Sequence, residues 1–170
     1  MNKKLLHSTI AGILFTFFFG TILHFFYEWS NENFFVGLLT PVNESTWEHI
    51  KLLFFPMLCY GVFAEWMLKD DYPCISFAYP ISILIGTFAI PIIFYTYSGI
   101  LGRNYMVLDI LTFYISVVFA FSIMYYIAFH CTTEKNPSLP RLMVVILFVC
   151  FLLFTYAPPG LGIFSSPVPS

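Results

Sequence analysis

The chain has 170 residues, of which 59% are hydrophobic, 21% aromatic and only 9% charged, with a formal net charge of −2 and a mean hydropathy of +0.85. Soluble domains are nearer half apolar and a quarter charged, and a chain of this length cannot bury so much apolar surface in one aqueous core. The composition therefore predicts an integral membrane protein, and the lack of a basic patch in the sequence argues against nucleic acid as a partner.

Five apolar segments follow one another along the chain, each close to the roughly 20 residues that a helix needs to cross a bilayer. Lipid cannot satisfy backbone hydrogen bonds, and the segments lack the alternating pattern of barrel strands. We therefore expect an all-α, polytopic membrane protein: a bundle of about five transmembrane helices in one integral membrane domain, residues 1–170. The predicted helices cover residues 5–27, 50–68, 75–97, 106–129 and 142–156.

The first of these segments follows Lys3 and Lys4, as the apolar region of a signal peptide would. It is too long for such a region and no small-x-small cleavage site follows, so we interpret it as a retained signal-anchor helix.

Two further segments are apolar but are not predicted to span. The connection between the first two helices contains "NFFVGLL", which is too short to cross and predicts an interfacial or re-entrant piece. The tail, residues 157–170, carries no charge and is rich in proline and glycine, so we expect it to be non-helical and to fold back onto the outer membrane surface. The four cysteines are scattered singly, which predicts neither a disulfide framework nor a zinc site built from them.

Lysine and arginine are unevenly distributed between the two ends of the predicted bundle. With the N-terminus inside, the inner end holds five of them: Lys3, Lys4, Lys69, Lys135 and Arg141. The outer end holds only Lys51 and Arg103. The positive-inside rule therefore predicts a cytoplasmic N-terminus and a C-terminus outside the cell.

Polar side chains collect at the predicted outer end, above all in "TPVNESTWEHIK", residues 40–51. Ionisable groups at membrane depth are functional candidates by default. We expect an outward-facing polar pocket, and its candidate residues are His24, Glu28, Asn43, Glu44, Glu48, His49, Lys51, Tyr95, Arg103 and Asp109.

The spacing within this cluster has more than one interpretation. His24 and Glu28 are four residues apart and share a helix face. Glu44 and Glu48 have the same spacing, so they repel each other unless Lys51, a shared proton or a bound cation compensates.

Helix capping explains part of the same stretch, because Ser45 and Glu48 fit a capping box at a helix start. A metal site is chemically feasible for four residues: His24, Glu28, Glu44 and Glu48. No motif supports it, and the cofactor stays unassigned.

Two other acidic residues have structural interpretations. Glu65 is predicted near the inner surface, where it snorkels or pairs with its i+4 neighbour Lys69. Asp109 is either a first-turn charge of the fourth helix or a partner for Arg103 or Lys51.

The stretch "PVNESTWEHIKLLFFPML", preceded by "HFFYEW", resembles a family of small multi-pass membrane proteins from Firmicutes, mostly clostridia, that is classed as a domain of unknown function. The likeness continues through "FYTYSGILG" and "DILTFYISV" to the proline-rich end. The resemblance implies a bacterial plasma membrane, and it carries over no activity.

Three functions fit the sequence. The first is a membrane protein that binds or transports a small solute, cation or lipid headgroup, since residues 28–51 carry four glutamates against one lysine. The second is a small intramembrane enzyme for a lipid or lipid-linked substrate of the outer leaflet, with Glu44 or Glu48 as base, His24 or His49 as proton shuttle, and Lys51 or Arg103 holding a phosphate or carboxylate. The third is a subunit that docks on another membrane protein through its polar face.

Overall fold

The computed structural model of the protein describes residues 3–166. Helical segments account for 77% of this part of the chain, and none of the described residues forms a strand, so the predicted all-α fold is confirmed. Six α-helices and a short 3-10 turn follow in order: α1 Lys3–Trp29, α2 Phe34–Gly37, α3 Thr46–Leu68, α4 Ile75–Leu101, α5 Met106–His130, α6 Ser138–Phe154 and the turn Gly162–Phe164.

Four of the helices, α1, α3, α4 and α5, are long and apolar enough to cross a membrane. They correspond to the first four predicted spans. The fifth predicted span corresponds to α6, which is also apolar but has only 17 residues. At a rise of 1.5 Å per residue it reaches about 25 Å, less than the roughly 30 Å of a hydrocarbon core.

The ends of the long helices follow local capping chemistry. α3 begins at Thr46, earlier than the predicted residue 50, because the Ser45 hydroxyl accepts a hydrogen bond from the amide of Glu48 at 3.4 Å. α4 runs four residues beyond the predicted end and stops where Gly102 takes a left-handed conformation with φ of 74°.

The long helices form an antiparallel bundle around α3. α1 packs against α3 and α5, α3 also packs against α4, and α4 packs against α5 and α6. The backbones of α1 and α3 approach closely, since a Cβ on Gly20 would lie 2.6 Å from the carbonyl oxygen of Leu52. The core between the helices includes Leu53, Phe54 and Phe121, which are fully buried.

The connection between α1 and α3 contains α2. The Asn33 side chain caps it by accepting a hydrogen bond from the amide of Phe35 at 2.9 Å. Phe34 and Phe35 are 54% and 75% exposed, while Tyr156 stacks on Phe34 with ring centroids 4.5 Å apart. Tyr156, just after α6, therefore covers one side of this connection.

The tail contains one short helical turn that was not predicted. Gly162–Phe164 forms a 3-10 turn that packs on the start of α3, where the Phe164 ring lies 4.9 Å from the ring of Trp47. Phe164 thus packs against the protein on Trp47, a partner that local sequence does not reveal, and the expected position of the tail on the outer membrane surface stays a prediction. Residues 167–170 of the predicted tail lie outside the described residues.

A disulfide joins Cys74 to Cys131, and the expectation that no disulfide forms is wrong. The two residues are 57 positions apart, but α4 and α5 are antiparallel, so the residue before α4 meets the residue after α5 at one end of the bundle. Scattered cysteines can pair in this way whenever a helical hairpin brings them together, and their spacing gives no sign of it.

Two ion pairs lie at this same end, the one opposite the C-terminus of α1. Lys4 pairs with Asp71, and Arg141 pairs with Glu65. Glu65 also accepts a hydrogen bond from Ser76 at 2.6 Å, so its partners come from α4 and α6 and not from Lys69 on its own helix.

Candidate functional site

A cavity of about 560 Å³ lies between α1, α3, α4 and α5, at the end where α1 and α4 finish and α3 and α5 begin. Antiparallel neighbours bring these helix ends together. Most of its wall is apolar and includes Leu52, Ile90, Phe94 and Phe113. Its polar lining is contributed by Thr21, His24, Glu44, Thr46, His49, Asn104, Asp109 and Thr112.

Three of the polar groups form a compact set, which we call the His–Glu–His cluster: His24 of α1, Glu44 before α3, and His49 of α3. The two Nε2 atoms of the histidines are 3.2 Å apart. The Glu44 Oε2 atom lies 3.3 Å from His49 Nε2 and 4.0 Å from His24 Nε2. Both histidines are about 30% exposed, whereas the Glu44 side chain is 68% exposed at the rim.

The helix start orients the His49 ring. Its Nδ1 atom lies 3.0 Å from the carbonyl oxygen of Ser45, one turn earlier. A carbonyl only accepts hydrogen bonds, so Nδ1 carries the proton and Nε2 is directed at the cluster. The neighbouring His49 imidazole lowers the pKa of the Glu44 carboxyl, although partial burial of the carboxyl acts in the opposite direction.

Asp109 also lines the cavity, from the first turn of α5, where a negative charge suits the helix dipole. It accepts hydrogen bonds from the Tyr97 hydroxyl and from Asn104 Nδ2, the latter at 3.3 Å. It pairs with neither of its predicted cationic partners, since Arg103 instead lies over the ring of Tyr105 at 4.6 Å.

Glu48 and Lys51 belong to a different site. Lys51 Nζ lies 2.7 Å from Glu48 Oε2, and the two side chains are 0% and 2% exposed. The same ammonium donates to the Thr155 hydroxyl at 2.6 Å and to the carbonyls of Gly37 and Thr40. This pair joins α3 to the α2 connection and to the end of α6.

The separation of Glu48 from the cavity has a simple cause. Adjacent residues on a helix point about 100° apart, so Glu48 faces Lys51 and the amide of Val42 when His49 faces His24 of α1. Glu44 precedes the helix, so its spacing of four from Glu48 does not place both carboxylates on one face. Each carboxylate has its own cationic or imidazole neighbour, and the repulsion expected from the spacing does not arise.

The other predicted site residues lie outside the cavity lining. Asn43 accepts a hydrogen bond from the amide of Ser45 at 2.9 Å and so supports the start of α3. Glu28, Tyr95 and Arg103 are exposed at the same end of the bundle. Of the ten predicted residues, four line the cavity: His24, Glu44, His49 and Asp109.

Several lining residues were not predicted from the sequence. Thr112 could have been found, because it lies three residues after Asp109 on the same face of α5. Asn104 and the apolar wall give no such signal, since their roles depend on which helices become neighbours.

Long apolar helices around a cavity with polar groups at one end define a class: an all-helical protein whose helices are compatible with a membrane. Within that class, the chain belongs to the Family of unknown function (DUF6512), whose family model matches residues 1–169. Comparison with curated proteins and with solved structures gives no match. The predicted relation to a family of unknown function is thereby confirmed, and the bacterial origin stays a prediction.

Proposed function

We propose that the protein is a multi-pass protein of a bacterial plasma membrane that binds the polar headgroup of a lipid or lipid-linked molecule at the outward-facing end of its bundle. The cavity between α1, α3, α4 and α5 carries this proposal. Its volume of about 560 Å³ is that of a ligand site, and its apolar wall with polar groups at one end matches an amphipathic molecule.

The surface of the bundle supports a location in lipid. Large apolar side chains point outward on all four long helices, among them Phe18 at 62%, Trp66 at 70%, Ile92 at 65% and Val107 at 68% exposure. Soluble monomers rarely expose such extensive apolar surface, whereas lipid is the natural solvent for it.

The position of the polar groups supports binding of the headgroup at the end of the bundle. The His–Glu–His cluster is at the rim, while Leu52, Ile90 and Phe113 line the same space. A headgroup placed against the cluster would therefore leave an acyl chain in contact with apolar side chains and with surrounding lipid.

Native mass spectrometry of the full-length protein in mild detergent tests the proposal. We expect the wild-type protein to retain one lipid-sized ligand per chain. Thr21→Trp should displace it by filling the cavity, because Thr21 lines the cavity and is exposed, so the larger ring can be accommodated without disturbing the core.

Ser122→Trp is the matched control. Thr21 and Ser122 are both exposed, and each hydroxyl donates to the carbonyl four residues earlier in its own helix, at 2.8 and 2.7 Å. Only Thr21 lines the cavity. Equal retention by the two variants, or a wild-type protein without ligand, contradicts the proposal; a ligand recovered in chemically altered form supports the intramembrane enzyme instead.

A further inference from the structure

We propose that the His–Glu–His cluster binds a divalent transition-metal ion of the zinc type, with one coordination position left open toward the cavity. The inference deepens the proposed function and rests on it for the ligand that completes the coordination. The metal itself is tested separately from the lipid.

The distances within the cluster fit a tetrahedral ion. Bonds of 2.0–2.2 Å from zinc to nitrogen or oxygen place two ligand atoms of a tetrahedral site about 3.3–3.6 Å apart. The two nitrogens of His24 and His49 are 3.2 Å apart, and His49 Nε2 is 3.3 Å from the Glu44 oxygen. The third separation, 4.0 Å, involves the exposed Glu44 side chain, which can close the difference by a small rotation.

The donor set also fits this class of ion. Imidazole suits zinc and its neighbours in the transition series, and two histidines with one glutamate form a known set for zinc sites that keep a position open. The hydrogen bond from His49 Nδ1 to the carbonyl of Ser45 is an outer contact of the kind that fixes the tautomer of a metal-binding histidine.

The arrangement of lone pairs provides an independent argument. With the Nδ1 proton directed at Ser45, the His49 Nε2 atom faces a carboxylate oxygen and a second imidazole nitrogen within 3.3 Å. When His24 also carries its proton on Nδ1, three acceptor atoms converge here and need a positive charge among them. A proton lies along one of these contacts, whereas a metal ion coordinates all three atoms.

The open position faces the cavity. Asp109 lines the same space and accepts hydrogen bonds from Tyr97 and Asn104, but it lies outside the group of three ligand atoms that are within 4.8 Å of one another. A water molecule or an anionic oxygen of a bound headgroup would take the fourth position, as in zinc sites with three protein ligands.

The full-length protein, stripped with a chelator and titrated with Co²⁺ as a spectroscopic substitute for Zn²⁺, provides the test. We expect one Co²⁺ per chain with the intense visible absorption of a four-coordinate ion, and displacement of Co²⁺ by Zn²⁺. His24→Gln and Glu44→Gln should each weaken binding by more than the roughly 10–100-fold that loss of an outer contact costs.

Matched controls separate these side chains from general effects. His130→Gln removes a histidine at the opposite end of the bundle, and Glu28→Gln removes an exposed carboxylate one turn from His24. Both controls should bind Co²⁺ as the wild-type protein does. Wild-type protein that takes up no ion, or cluster variants that bind as the controls do, would overturn the metal site.

X-ray absorption on the zinc-loaded wild-type protein keeps the inference testable if a cluster variant fails to fold. Two imidazoles with oxygen ligands at about 2.0 Å are expected, and sulfur ligands or six oxygens would overturn it. Lipid retention without metal refutes only the metal site, and metal binding without a retained lipid refutes only the proposed lipid ligand.

Discussion

At the scale of single residues, Lys51 stands out because its charged side chain is fully buried. Its ammonium has four acceptors within 3.3 Å, among them the Glu48 carboxylate and the Thr155 hydroxyl. A buried ion pair adds little net stability by itself, but the loss of one partner leaves an uncompensated charge. The connection between α1 and α3 must therefore keep the conformation in which its carbonyls accept hydrogen bonds from Lys51.

Lys51→Met should destabilise the protein by about 3–5 kcal/mol, because it leaves the Glu48 carboxylate buried without its cation. Adding Glu48→Gln should recover part of this loss, since the double variant buries no charge. Thermal unfolding in detergent measures both effects. Lys69→Met, which removes an exposed lysine, is the control and should match the wild type; similar midpoints for Lys51→Met and Lys69→Met contradict this view of the pair.

The candidate site was partly predictable at this scale. Ionisable groups are so rare in this chain that their positions alone selected His24, Glu44, His49 and Asp109. Spacing alone placed Glu48 and Lys51 in the same pocket, and this was wrong. Their true position depends on where α3 starts and on Thr155, which is 104 residues after Lys51.

At the scale of helices, the close contact between α1 and α3 sets the position of His24 relative to His49. Gly20 lies one turn before His24, and a Cβ there would meet both the Leu52 carbonyl and the Phe113 ring at 2.6 Å. The missing side chain therefore permits the approach that brings the two imidazoles together.

Gly20→Ala should cost about 1–3 kcal/mol of stability, because backbone on one side cannot yield to the added methyl group. Gly99→Ala is the matched control: it adds the same group within α4, where a Cβ would meet nothing within 4 Å. Alanine is the better helix former, so this control should be neutral or slightly stabilising. Chemical denaturation of the purified proteins compares them, and equal stability of the two variants would disprove the tight contact.

The helices themselves were predictable because long apolar runs leave few alternatives, and all four long ones coincide with predicted spans. α6 also overlaps a predicted helix, residues 142–156, whereas α2 and the turn Gly162–Phe164 were not predicted. α2 depends on the Asn33 cap, and the turn Gly162–Phe164 depends on Trp47 of a distant helix. The cap of α2 directly precedes it in the sequence, whereas local sequence does not reveal Trp47 as the partner of the turn.

At the scale of the whole molecule, orientation and cysteine chemistry are linked. The disulfide between Cys74 and Cys131 lies at the end that carries Lys4 and Arg141, which the distribution of basic residues predicts to be cytoplasmic. Disulfides are rare in the cytosol, where thiols are kept reduced. We therefore expect this pair to be a dithiol in growing cells and to oxidise on exposure to air.

Alkylation with a membrane-permeant maleimide before lysis, followed by mass spectrometry, measures the state of the pair. Both thiols should be labelled in cells, and after aerobic purification neither should be. A Cys74→Ser variant should leave Cys131 open to labelling in both preparations and so serves as the control. A disulfide already present in cells would place this end outside and reverse the predicted orientation.

The contacts of Lys51 also set an order of events during synthesis. Gly37, Thr40 and Glu48 all precede Lys51 in the chain, so three of its four acceptors are available as soon as α3 forms. Thr155 emerges 104 residues later, which at 5–20 residues per second takes about 5–20 s. The lysine can thus enter the bundle already neutralised, and the arrival of α6 closes the structure around it.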